Sequence, residues 1–139
     1  MVESKESKTM KAIICDGFGG PEVLKVGDRP IPQLGEGEIL VKVIYSALNR
    51  ADCMQRKGNY PPPPGVTDVL GLECLGQIVE DPAKAASDEE KLGDTVIALI
   101  AGGGYSQYVK VNKSHTLVVP QNTPLDQAAA FMEVFCTAY

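Results

Sequence analysis

Apolar residues along this chain recur in short runs with a period of two, punctuated by glycine and proline. Residues 10–16 form a first apolar run, ended by Asp16-Gly17-Phe18-Gly19-Gly20-Pro21, a cluster of turn formers that predicts the end of a strand. Residues 23–26 form a second candidate strand, after which Pro30, Pro32, Gly35 and Gly37 mark an irregular connection. Between 38 and 45 the alternation is clean. Ile39, Val41 and Val43 fall on one face and Leu40, Lys42 and Ile44 on the other, which predicts a central strand buried on much of both sides. Residues 70–80 read as another long strand, whose Gly71 and Gly76 predict bulges or close backbone approach. Gly93-Asp94 forms a tight turn into a strand at 95–100. Residues 101–104 read as a flexible link into a strand at 105–111, and 116–119 is the last strand.

Helical signals occupy two places. Residues 50–57 are helical in composition, preceded by Asn49, a good N-cap that offers its side chain to the first turn. Gly58 closes that helix, and Pro61 to Pro64 hold an extended loop. Residues 81–90 are polar and read as a solvent loop with a turn of helix. Near the end, Thr123-Pro124-Leu125-Asp126 is a helix start, with Thr123 as N-cap and Pro124 in the first helical position. Leu125, Ala128, Ala129, Met132 and Phe135 then give an apolar face at helical spacing. A helix apolar on more than one side expects further protein to pack on it. About seven short strands with little helix predict a mainly β fold with short helices (α+β), a partly open β-barrel. The expected organisation is a disordered extension over 1–9, one domain over 10–122, and a helix over 123–139.

Size and charge narrow the function classes. A chain of 139 residues suffices for one domain with a real core. The net charge is −5 and the bases Lys25, Lys42, Arg50 and Arg56 are scattered, so no phosphate-binding stripe forms and nucleic acid is not an expected partner. The longest apolar run, 96–101, falls far short of the roughly 20 residues a bilayer span needs. The polar start has no secretory apolar segment, so the expectation is a cytoplasmic protein without membrane attachment. Cys15, Cys53, Cys74 and Cys136 include no Cys-x-x-Cys pair and are expected as free thiols packed like small hydrophobes. The single histidine, His115, lies in a polar turn after Asn112, away from any cysteine it could activate.

Several ordered motifs then carry a resemblance. They are Met10-Lys-Ala, Gly37-Glu-Ile-Leu-Val-Lys-Val, Leu48-Asn-Arg-Ala-Asp, Gly71-Leu-Glu, Gly93-Asp, Gly102-Gly-Gly-Tyr-Ser-Gln-Tyr and Gln127-Ala-Ala-Ala. Together they resemble the medium-chain dehydrogenases/reductases, and more narrowly their zinc-free quinone oxidoreductase branch, over 10–139. The resemblance implies a GroES-like barrel forming the substrate side of a cleft. The final helix would lead toward a Rossmann domain that binds NADPH and is not expected within these 139 residues.

The same resemblance implies roles for particular residues. Metal-using relatives place a cysteine where this chain has Asn49 and a histidine where it has Leu72, between Gly71 and Glu73; an amide and a hydrocarbon are unsuited to zinc, so no metal is expected. Asn49 would lie near the nicotinamide, or serve as a plain helix cap. Asp52 would support the loop, or be a solvated acid of the first helical turn. Tyr60 would stack at the mouth of the cleft, or be an ordinary loop tyrosine. Thr137 would meet the nicotinamide amide, or bond its own helix. Glu133 would brace a loop without being catalytic. Two positions depart from the pattern: Met54 stands where an aromatic is common, and Met132 replaces a proline that breaks the helix in relatives. The helix would then run straighter, or the next domain would start displaced. The implied activity is NADPH-dependent reduction of a quinone, with these residues inactive by themselves and a homodimer allowed for the complete enzyme. An enone or enal reductase, or a non-catalytic interaction module, is the alternative.

Overall fold

The computed structural model describes residues 8–83 and 91–139. The expected extension over 1–9 lies mostly outside them, as does most of the loop expected over 81–90. Seven strands and three short helices make up the described fold. Strands β1 (Thr9–Cys15) and β2 (Leu24–Pro30) form an antiparallel hairpin in register from Thr9 opposite Pro30 to Cys15 opposite Leu24. The second strand is longer than the apolar pattern suggested, because Gly27, Asp28 and Arg29 pair through their backbone without an apolar face to reveal them. Pro30 stands at its end, where no ladder donor is needed.

A five-stranded antiparallel sheet carries the core. Its strands are β3 (Glu38–Ser46), β4 (Glu73–Glu80), β5 (Thr95–Leu99), β6 (Tyr108–Asn112) and β7 (Thr116–Val118), in the spatial order β6-β3-β4-β5-β7. The hairpin joins it through residues 105–107: Ile13 donates to the Tyr105 carbonyl at 2.8 Å, and Gln107 to the Lys11 carbonyl at 3.0 Å. The period of two explains what lies inside. Ile39, Val41, Cys74, Ile78, Val96, Ala98, Val109 and Val111 face one another in one core. Leu75 and Ile97, on the opposite face of their strands, pack instead against Ala128, Ala129 and Met132. Burying such side chains contributes roughly 1.5–3 kcal/mol each. The second face of β3 differs from expectation, for Lys42 and Ile44 are exposed and only Leu40 is covered.

The helices are α1 (Arg50–Arg56), α2 (Leu125–Ala128) and α3 (Met132–Ala138). The single helix expected over 123–139 is therefore two. Pro124 is extended at the N-cap of α2, so Thr123 falls outside the helix. Beyond Ala129 the backbone tightens, with Ala130 bonding Gln127 and Phe131 bonding Ala128, and the chain restarts as α3 without any proline. Two further segments correct the sequence reading. Residues 70–72 are not strand but a bend before β4. Residues 102–104 are no flexible link; they are buried, with Gly103 donating to Val69 at 2.8 Å and Gly104 to Gly71 at 3.1 Å.

The glycine expectations hold at two places. Gly71 has φ of +105°, and a Cβ there would lie 2.6 Å from the Gly104 Cα. Gly76 sits where the β3–β4 register shifts between Val43 and Tyr45, and a Cβ there would meet the Lys42 carbonyl oxygen at 2.2 Å. Since backbone blocks that space, Gly76→Ala is expected to cost about 2–3 kcal/mol. Urea unfolding with an unchanged midpoint would contradict this close approach.

Candidate functional site

The site begins at the entrance to α1. Asn49 holds the N-cap position with extended backbone, and its N–H donates to the Asp52 carboxylate (Oδ2) at 2.8 Å. Asp52 is 4% exposed, and its carboxylate accepts two more bonds, from Gly71 N–H at 3.0 Å and from the Tyr105 hydroxyl at 2.7 Å. Asp52 is thus the pin between α1, the bend at Gly71 and the loop before β6. The Gly71 N–H can point at it because the residue takes a left-handed conformation.

A second buried carboxylate lies beside the first. Glu73, 1% exposed, accepts from the Asn49 side-chain amide (Nδ2) at 2.9 Å on one oxygen and from the Glu133 backbone N–H at 3.0 Å on the other. Its own carbonyl accepts from the Ser46 hydroxyl at 2.7 Å. The Asn49 amide group, expected at the first turn of α1, therefore also reaches across to β4. Glu133 joins the cluster through its backbone N–H. The cluster's electrostatics are visible in its neighbours. Burial, reinforced by the hydrogen bond to Asp52, raises the Tyr105 phenol well above its ordinary range. Burial and then the Glu73 charge push the Cys74 thiol up to about 12.

The structure brings together Asn49, Asp52 and Glu133 through Glu73 and Tyr105. Tyr60 and Thr137 stand apart. Tyr60 is 45% exposed beyond α1, and Thr137 is exposed on α3, one turn after Glu133. A cavity of about 410 Å³ is lined by Met10, Arg29, Val66, Val109 and His115 among others. A more open hollow of about 510 Å³ is bordered by Ser46, Leu48 and Tyr105. Neither is lined by Asn49 or Tyr60. Leu48, 86% exposed, links that hollow to Asn49 along the chain. Glu73 and Tyr105 are the members that sequence reasoning missed as partners. An acid opening the apolar run Cys74-Leu75 was the available signal for the first.

All four cysteines are free; Cys74 is buried, Cys15 partly so, and Cys53 and Cys136 are exposed rather than packed. Among the described residues no three His, Cys, Asp or Glu side chains gather as a metal site. No helix among them is long and apolar enough to cross a membrane.

Residues 35–121 match the alcohol dehydrogenase GroES-like domain. A synaptic vesicle membrane protein VAT-1 homolog of Danio rerio is 34% identical over 97% of this chain, which spans 28% of that protein. A quinone oxidoreductase of Lama guanicoe is 31% identical over 95% of the chain, which spans 40% of it. Among solved structures, a mycobacterial protein complexed with NADPH superposes with a TM-score of 0.81 and 32% identity, covering 93% of this chain and 39% of that one. The chain thus spans well under half the length of these relatives.

Two measurements test the Asp52 pin. Asp52→Asn turns an amide N–H₂ toward the Asn49 N–H or the Gly71 N–H, which can only donate, and is expected to cost about 2–4 kcal/mol, measured by denaturant unfolding. The phenol of Tyr105 binds its proton more tightly folded than unfolded. Its contribution to stability is therefore intact below the unfolded value of 10.0 and is lost as pH rises from there toward the folded value. Tyr105→Phe is expected to remove part of this alkaline decline; an identical pH slope in the variant would contradict it.

Proposed function

The chain belongs to the alcohol dehydrogenase GroES-like domain family, and on that premise we propose that it forms the substrate-side domain of a zinc-independent, NADPH-dependent quinone oxidoreductase. Its relatives are oxidoreductases of the medium-chain dehydrogenase/reductase superfamily, a quinone oxidoreductase among them. The observation that carries the zinc-free reading is the bond from the Asn49 amide to Glu73. Where a metal-using member would present a thiolate and an imidazole, this chain has a committed amide and the buried hydrocarbon of Leu72. Zinc does not fit that donor set, and no step of the reaction is derived through it.

A reduced nicotinamide does fit. It is uncharged and asks for neutral hydrogen-bonding groups, which Asn49 and the exposed hydroxyl of Thr137 supply. When bound, it provides a hydride for the substrate. The chain's own residues contribute position and dryness. Asn49 holds its amide fixed, Leu48 offers an apolar surface, and Tyr60 supplies a ring for stacking. Asp52 supports the loop from below, and the Glu133 backbone ties it to α3. A quinone suits such a site because it is already electrophilic and needs neither a Lewis acid nor a positioned proton donor to accept a hydride.

The preference for NADPH is supported by the cofactor of the mycobacterial neighbour. The 139 residues contain no Gly-x-Gly-x-x-Gly turn, so by themselves they are expected to hold NADPH weakly and to be inactive. Cytoplasmic location and homodimeric assembly of the complete enzyme belong to the same proposal.

The test is a polypeptide joining this domain to a dinucleotide-binding domain, assayed with NADPH against a panel of quinones and alkenals. Faster turnover of quinones is expected, and preferential turnover of alkenals would overturn the assignment. Elemental analysis of the purified chain is expected to find no stoichiometric zinc. One equivalent bound with Asn49 and Leu72 intact would show the metal-free reading to be mistaken.

A further inference from the structure

The cavity of about 410 Å³ is lined from the hairpin by Met10, Arg29 and Pro30 and from the sheet by residues 108–112 of β6. It lies beside the place where the two layers join, at the bridge from Ala12 to Ser106. Its volume falls within the range of about 300–1,000 Å³ usual for small-molecule sites. Met10, Val69, Val109 and Val111 in its wall are buried, and Val66 and Ile100 add further hydrocarbon. Residues 65–69 cover one side, and that segment is fixed by three bonds. Gly103 donates to the Val69 carbonyl at 2.8 Å, Gln55 Nε2 to the Asp68 carbonyl at 3.3 Å, and Arg29 to the Asp68 carboxylate at 3.2 Å. Pro61 to Pro64 stiffen its approach. A Cβ at Gly102 would come within 3.2 Å of Val66 and of the Thr67 and Val69 carbonyl oxygens. The cavity is therefore framed by close-packed, bonded backbone.

We propose that this cavity is a ligand site separate from the Asn49 cluster, and that it takes a compact uncharged molecule: a hydrocarbon body with one carbonyl or hydroxyl oxygen directed to Arg29. The charged groups of the lining are already matched. Arg29 pairs with Asp68 at 3.2 Å and Lys110 with Glu38 at 2.9 Å, while His115 is formally neutral. A charged guest would leave water for hydrocarbon walls and would have to displace Asp68 or Glu38 to find a counter-ion, which is costly. Water itself gains little against the apolar walls, since a buried water needs several polar partners. Hydrogen-bonding capacity does remain for one oxygen. A guanidinium has five N–H donors, and those of Arg29 meet two acceptors among the described residues, the Asp28 carbonyl and the Asp68 carboxylate. The proposal is independent of the quinone reading, which concerns Asn49, Tyr60 and Thr137, none of which lines this cavity.

The experiment titrates the methyl-labelled chain with camphor, a compact ketone, and with two charged molecules of the same skeleton, camphor-10-sulfonate and bornylamine. The Val69, Val109 and Val111 methyl signals are expected to shift and saturate with camphor at a dissociation constant below about 1 mM, and each charged molecule to bind about tenfold more weakly or worse. Nuclear Overhauser contacts should join camphor to the same methyl groups. Val66→Trp carries an indole into the cavity from its half-buried rim and is expected to weaken camphor about tenfold or more. Arg29→Leu removes the donor and is expected to weaken it about fivefold, whereas Val26→Ala, at the other hollow, should leave affinity unchanged. Three results would overturn the site: no saturable shift up to the solubility limit of camphor, shifts centred on Val26 and Leu48, or undiminished affinity in Val66→Trp. Equal or tighter binding of either charged molecule would overturn the uncharged ligand class, and unchanged affinity in Arg29→Leu would overturn the oxygen contact. Should Val66→Trp fail to fold, the Overhauser contacts in the parent decide the matter.

Discussion

Two carboxylates taken out of water, neither paired with a cation among the described residues, impose the local architecture of this domain. Stripping a carboxylate of water costs several kcal/mol, and Asp52 and Glu73 recover it only from neutral donors arranged around them. Asp52 takes an N-cap N–H, a bend N–H and a phenol; Glu73 takes a side-chain amide and an N–H from the first turn of a helix. Each donor fixes a piece of backbone. The left-handed Gly71, the extended Asn49 and the interruption before α3 are all consequences of where those N–H groups have to point.

The interruption between α2 and α3 illustrates the point. The apolar face at helical spacing, with Met132 and no proline within it, made a single helix over 123–139 the expectation. A continuous helix would have spent the Glu133 N–H on the carbonyl four residues earlier. Glu73 needs that donor, and a helix restarting at Met132 leaves it free. The break therefore persists without the residue that signals it, and the demand of a buried charge explains why local propensity is overruled.

This marks what the sequence disclosed and what it could not. Alternation revealed β3 and its core face, because burial of one face writes itself into a period of two, and the Gly93-Asp94 turn revealed β5. Asn49 and Gly58 bracketed α1 because caps are local. The Gly71 and Gly76 close approaches were legible as glycines inside strand-like runs. Hidden were features whose cause lies elsewhere in the chain. The polar β2 pairs through its backbone, residues 102–104 look flexible until Gly71 packs on them, and Glu73 reads as one acid among many. Of the site, Asn49, Asp52 and Glu133 were visible as types; their convergence was not.

That convergence is non-local throughout. Asn49 reaches Glu73 across 24 residues, Tyr105 reaches Asp52 across 53, and Glu133 reaches Glu73 across 60. None of these bonds can form in an isolated segment, since each requires β3, β4 and the loop before β6 already in register. The same bonds then hold the loops that carry Asn49 and Tyr105. Site geometry and domain stability are consequently coupled, and a substitution in the carboxylate pair should not disturb one while sparing the other. The exposed groups at the periphery differ. Leu48, Tyr60 and Thr137 make no contribution to the pair's hydrogen bonding, so variation there can alter what the surface accepts without loosening the frame. A domain built this way can change its ligand at the rim while its buried acids keep the backbone where it is.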